Sequence, residues 1–93
     1  MKFKAGDIIE GTEGNGKSWA NTTRLLLLHV VTKSEVAAIV LKSWNPITGK
    51  ISPWSPFAAD WTLTERKWKK VGEVPELGLT IGPVKAAIKR YSK

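Results

Sequence analysis

Cysteine is absent from this chain, and histidine occurs once, at His29. The first absence excludes disulfide frameworks, thiolate metal sites and cysteine nucleophiles. A single imidazole with no thiolate beside it is too few ligands for a metal centre, so no metal is expected and His29 reads as a packed residue at the edge of the core, facing the same way as Leu25, Leu27 and Val31. Long apolar runs are missing too. The longest, Leu25 to Val31, is interrupted by His29 and falls far short of the roughly 20 residues a membrane-crossing helix needs. Met1 to Ala5 carries charge and no apolar stretch of signal-peptide length, so the expectation is a soluble, cytoplasmic protein with no membrane partner.

Acidic residues are sparse, eight against fifteen Lys and Arg. They are Asp7, Glu10, Glu13, Glu35, Asp60, Glu65, Glu73 and Glu76, and their scatter shows no paired spacing suited to acid–base work. No Gly-x-Ser-x-Gly elbow marks a nucleophile. The chain is therefore read as a non-enzymatic protein without a cofactor.

What is present fits one small domain. Ninety-three residues with 42% apolar and 25% charged side chains can build one core and no second. The formal charge of +7 is unevenly placed: residues 1–65 carry seven cations and six carboxylates, whereas residues 66–93 carry eight and two. A basic excess gathered in the last third suits phosphate backbones or an acidic protein face.

The pattern along the chain is mainly β. A Gly6-Asp7 turn feeds a first strand through Ile8 and Ile9, and the stretch from Gly11 to Ser18, with three glycines, reads as a flexible loop. Thr23 to Thr32 is almost continuously apolar, as in a strand buried on both faces. Lys33-Ser34 would turn it tightly into Glu35 to Ser43, and Asn45 to Gly49 would turn the chain again into a strand at Ile51 to Trp54. Pro53 and Pro56 make the stretch to Ala59 a connector or sheet edge. Trp61 to Leu63 and Trp68 to Val71 read as strands around a single helical turn capped by Thr64, and Glu73 to Gly82 reads as a linker. From Pro83 the period becomes helical, with Val84, Ala87, Ile88 and Tyr91 on one face and Lys85, Lys89 and Arg90 elsewhere. The expected architecture is a small barrel of about five antiparallel strands in residues 1–72, a linker over 73–82 and a short helix over 83–93, all in one domain.

The opening Phe3-x-x-Gly6-Asp7-Ile8-Ile9, the short strands, the long polar first loop and the single turn before the last strand resemble an SH3-like small β-barrel. The spread of Trp61, Trp68 and Val71 resembles small bacteriophage-encoded proteins that use this compact fold to bind host components. The likeness covers roughly residues 3 to 72 and implies a fold and a host-protein partner, but it assigns no functional residue. The C-terminal helix is an addition to the plain barrel.

Gly11-x-x-x-x-Gly16-Lys17-Ser18 matches the phosphate-binding loop pattern by letter. Its context does not match: such a loop joins a buried strand to a helix inside several βαβ units, and this chain is too short for them. Asp60 is a poor substitute for a magnesium-binding aspartate. What survives is anion binding without chemistry, through the amides around Gly14 and Gly16 with Lys17 and Ser18.

The five tryptophans are the stronger signal. Trp61 and Trp68 read as core residues, whereas Trp19, Trp44 and Trp54 are candidates for exposure, able to stack on bases or to anchor a protein interface. Beside them lies Arg66-Lys67-Trp68-Lys69-Lys70, in which strand alternation puts Lys67 and Lys69 on one side and Trp68 and Lys70 on the other. The leading expectation is nucleic-acid binding, DNA or RNA, with little sequence preference, through Arg66, Lys67, Trp68, Lys69, Lys70, Lys85, Lys89 and Arg90. The alternative is binding of a host protein through Trp19, Trp44 and Trp54. A third arrangement joins copies of the chain through the apolar side of the helix.

Overall fold

The computed structural model describes residues 3–32, 34–52, 57–63, 67–74 and 81–91. Five strands, β1 (Asp7–Gly14), β2 (Ala20–Val30), β3 (Glu35–Trp44), β4 (Phe57–Thr62) and β5 (Lys69–Glu73), precede one helix, α1 (Ile81–Tyr91). All ladders are antiparallel and the sheet order is β4-β3-β2-β1-β5. The mainly β class and the C-terminal helix are as the sequence leads one to expect. Barrel closure is not: among the described residues no ladder joins β4 to β5, so the sheet keeps two edges. It curls instead, helped by bulges in the β2–β3 and β1–β5 ladders, which locally increase twist. The two flanks meet through side chains, with the Trp61 and Trp68 rings edge to face, centroids 6.5 Å apart and planes at 85°.

Two cores form, one on each face of the sheet, because β2 is apolar at successive positions. Leu25 and Leu27 join Ile9, Val36, Ala38, Val40 and Leu63 on the inner face, where Trp61 and Trp68 pack, as expected of them. Leu26 joins Ile8, Leu41 and Val74 on the other, which is covered by Ile88 and Tyr91 of α1. Neighbours in a strand point to opposite faces, so the run Leu25 to Leu27 holds both layers together. Each such fully buried side chain contributes about 1.5–3 kcal/mol.

The bulges explain several departures from simple alternation. In β2 the inner face takes Leu25, Leu27 and then Val30, because the register shifts between Leu27 and His29. His29 is thereby rotated out and exposed rather than packed beside Leu27. In β5 the pairs Ile8 with Gly72 and Ile9 with Lys70 leave Val71 as the extra residue, 39% exposed.

Other boundaries also move. Gly11 to Gly14 belongs to β1 rather than to a loop, because Gly11 has no side chain where the Trp68 indole lies flat: a Cβ there would sit 2.7 Å from the ring. The β2–β3 connection is four residues long, not two, and is braced by Thr32 Oγ1, which accepts from the amides of Ser34 and Glu35. Ile51 makes an isolated antiparallel bridge to Trp44, while residues 53 and 54 of the strand expected at Ile51 to Trp54 lie outside the described residues, and β4 takes in both Phe57 to Ala59 and Trp61. Trp54 and residues 64–66, with the expected helical turn and Arg66, lie outside the described residues. The helix starts two residues before Pro83, which keeps that residue in its first turn, where the missing amide costs nothing. Its residues Ile88 and Tyr91 are docked on their own sheet.

Candidate functional site

Strand register assembles what the sequence keeps apart. Lys69 on β5 pairs with Glu10 on β1, Glu10 pairs with Arg24 on β2, and Arg24 pairs with Lys42 on β3. Directly paired residues share a face, so three cations and one carboxylate form a row across four strands. The next row on that face is Thr12, Thr22 and Trp44, with the two threonine hydroxyls 2.7 Å apart.

Arg24 organises this surface. Its Nε donates to Glu10 Oε2 at 3.1 Å, its Nη1 donates to the carbonyl of Tyr91 at 2.7 Å, and its guanidinium lies 5.1 Å from the centre of the Trp44 ring. The Lys42 ammonium is 4.6 Å from the same ring. Cations attract the negative face of an indole, so both hold Trp44 half-buried against the sheet. The bond to Tyr91 satisfies a carbonyl that a helix end leaves without an intrahelical partner. It also brings the last turn of α1, with exposed Lys89 and Arg90, beside the row. The Arg90 guanidinium is 5.4 Å from the Tyr91 ring, and Lys85 is exposed one turn earlier.

The basic segment at 66–70 divides. Lys67 and Lys69 are exposed, and Lys69 joins the row. Trp68 is packed on the inner core. Lys70, also exposed, lies 3.2 Å from Asp7 Oδ1 and 3.5 Å from Glu73 Oε2. Its pKa is raised above 10.5, chiefly by the hydrogen bond to Asp7, against the opposing effect of desolvation. Asp7 is 2% exposed and its other oxygen accepts from the Lys4 amide, so Lys70 neutralises a buried carboxylate.

The glycine-rich turn at Asn15 to Trp19 joins β1 to β2, not a strand to a helix. Gly14 and Gly16 adopt positive φ. The amides of Lys17, Ser18 and Trp19 all donate to Asn15 Oδ1, at 2.8, 2.9 and 3.1 Å. The donors that would surround a phosphate are thus held by a side chain of the loop itself. Trp19, at the end of this turn, is 53% exposed.

Beside Trp44 lies a recess of about 460 Å³, walled by that ring, Asn21, Asn45, Lys50, Ile51 and Ser52. Of these site residues sequence reasoning names Trp44, Lys69, Lys89 and Arg90, and misses Arg24, Lys42, Asn21 and Lys50. Arg24 and Lys42 stand at opposite sides of a bulged ladder, and only a lysine two residues before Trp44 hinted at the cluster. Among the described residues no group of three metal-ligating side chains exists, and no helix is long and apolar enough to cross a membrane. In comparisons with protein families, curated proteins and solved structures, the chain matches none.

Proposed function

We propose that this chain is a non-enzymatic, cytoplasmic binding module that holds nucleic acid with little sequence preference. The observation that carries the reading is the row of Lys69, Arg24 and Lys42 across the sheet, flanked by Trp44 and by Lys89 and Arg90. Cations follow a phosphate backbone, and an indole beside them offers a surface for bases whatever their identity. Arg24 is committed to Glu10 and Tyr91, so the phosphate contacts fall to Lys42, Lys69, Lys89 and Arg90. The likeness to an SH3-like small barrel of the bacteriophage type is part of the same proposal. The five antiparallel strands and the pairing of β5 with β1 support it.

The test is binding of a labelled single-stranded oligonucleotide at several salt concentrations. Four contacts give a slope of log affinity against log salt of about −3, and the Lys42→Ala, Lys69→Ala double variant flattens it to about −1.4. Affinity that ignores salt would sink the reading.

A second reading rests on a different surface. Trp19 at 53% exposure stands at one hairpin tip, as an anchor for a host protein would. A complex captured from nuclease-treated lysate and lost in Trp19→Ala, with no oligonucleotide binding, would favour it.

A further inference from the structure

We propose that the recess beside Trp44 receives one unpaired base, so that the nucleic acid bound is single-stranded. This rests on the nucleic-acid reading and makes it specific. At about 460 Å³ the recess lies within the roughly 300–1,000 Å³ of sites that take small ligands. It is also preformed. The turn that makes its far wall is pinned by the Asn45 amide on Lys50 O at 2.8 Å, the Gly49 amide on Asn45 O at 2.7 Å and the Ser52 amide on Ser43 O at 2.7 Å.

Its walls carry the three groups that base recognition needs. Trp44 supplies a ring for stacking, and Ile51, 51% exposed, supplies an apolar lip. Two carboxamides supply hydrogen bonds. Asn45 Oδ1 is already committed to the amides of Ile47 and Thr48, at 2.8 and 3.2 Å, so its nitrogen is the end able to donate. Asn21 Oδ1 accepts from Ser43, while its nitrogen reaches Thr23 only at 3.4 Å, a long contact that a base edge can replace. Lys50 lines the recess and Lys42 lies against the ring, so two cations stand by for the backbone of a strand whose base enters it. A base in a duplex is stacked and paired and cannot enter without extrusion, whereas an unpaired one can.

The experiment compares fluorescein-labelled oligothymidylate with its duplex on oligoadenylate, at one salt concentration, by anisotropy. The single strand is expected to bind at least about tenfold more tightly, and Trp44→Ala to lose roughly 5- to 100-fold on the single strand while changing duplex binding less than about twofold. Trp44→Phe should recover most of the loss. In wild-type protein labelled with 5-fluorotryptophan, whose Trp44 resonance is assigned from Trp44→Phe, oligothymidylate should shift that signal more than those of Trp61 and Trp68. This readout does not depend on the alanine variant folding. Equal affinity for strand and duplex, with an unmoved Trp44 signal, overturns the base site and leaves salt-dependent nucleic-acid binding standing. No salt-dependent binding of either probe overturns both.

Discussion

Replacing Arg24 by alanine should loosen the helix from the sheet. The side chain is 18% exposed and makes three contacts that alanine cannot replace. The charged hydrogen bond to the Tyr91 carbonyl, at 2.7 Å, contributes about 1.5–3 kcal/mol. The stacking on Trp44 contributes about 0.5–1 kcal/mol, and Glu10, itself only 20% exposed, is left without its guanidinium. The two figures add to about 2–4 kcal/mol, and because the effects are coupled the stranded Glu10 carboxylate is not counted again. For a domain of this size that corresponds to a fall in Tm of roughly 10–20 °C. Helix α1, at eleven residues, is too short to persist alone, so amide exchange in its last two turns should accelerate more than in β2. Glu10→Gln keeps the shape and loses only one ion pair, and should cost under about 1 kcal/mol. If Arg24→Ala melts within about 2 °C of wild type, with unchanged exchange in the helix, Arg24 does not tie helix to sheet and the reasoning fails.

Gly11→Val should destabilise by about 1–3 kcal/mol, because its Cβ would lie 2.7 Å from the Trp68 ring in the packed inner face; a red-shifted tryptophan emission would report the displaced indole. The raised pKa of Lys70 means that its pairing with Asp7 stabilises fully below pH 10.5 and is lost as pH rises through the higher folded value. Denaturant midpoints of wild type and Lys70→Gln should therefore differ at pH 8 and converge well above pH 10.5; a gap that persists in strong alkali would contradict this. Asn15→Ala should cost about 0.5–1.5 kcal/mol by releasing the turn amides it collects. Because those amides are committed in the wild type, Lys17→Ala should leave the response of Tm to Mg–ATP unchanged, and an upward shift that this variant abolishes would restore the phosphate-loop reading.

Much of the fold is written locally. The apolar run Leu25 to Leu27 demands a strand covered on both faces, the break near Asn45 demands a turn, and the spacing of Ile88 and Tyr91 demands a helix with one docked side. Size and composition set the single domain, and the excess of Lys and Arg set its basic character. None of that needs long-range information, because periodicity and turn chemistry act over a few residues. Partnership between strands does need it. That Lys69, Glu10, Arg24 and Lys42 form one row follows from registers and bulges between segments far apart in the chain. A shift of one residue in any ladder would send those side chains to the opposite face. The same holds for Lys70, which looks from its neighbours like part of a binding patch and is paired with a buried carboxylate sixty-three positions away. His29 is likewise misplaced by simple alternation, since a bulge is a property of two strands and not of one. Tertiary pairing alone decided which cations are spent on the fold and which face outward beside Trp44.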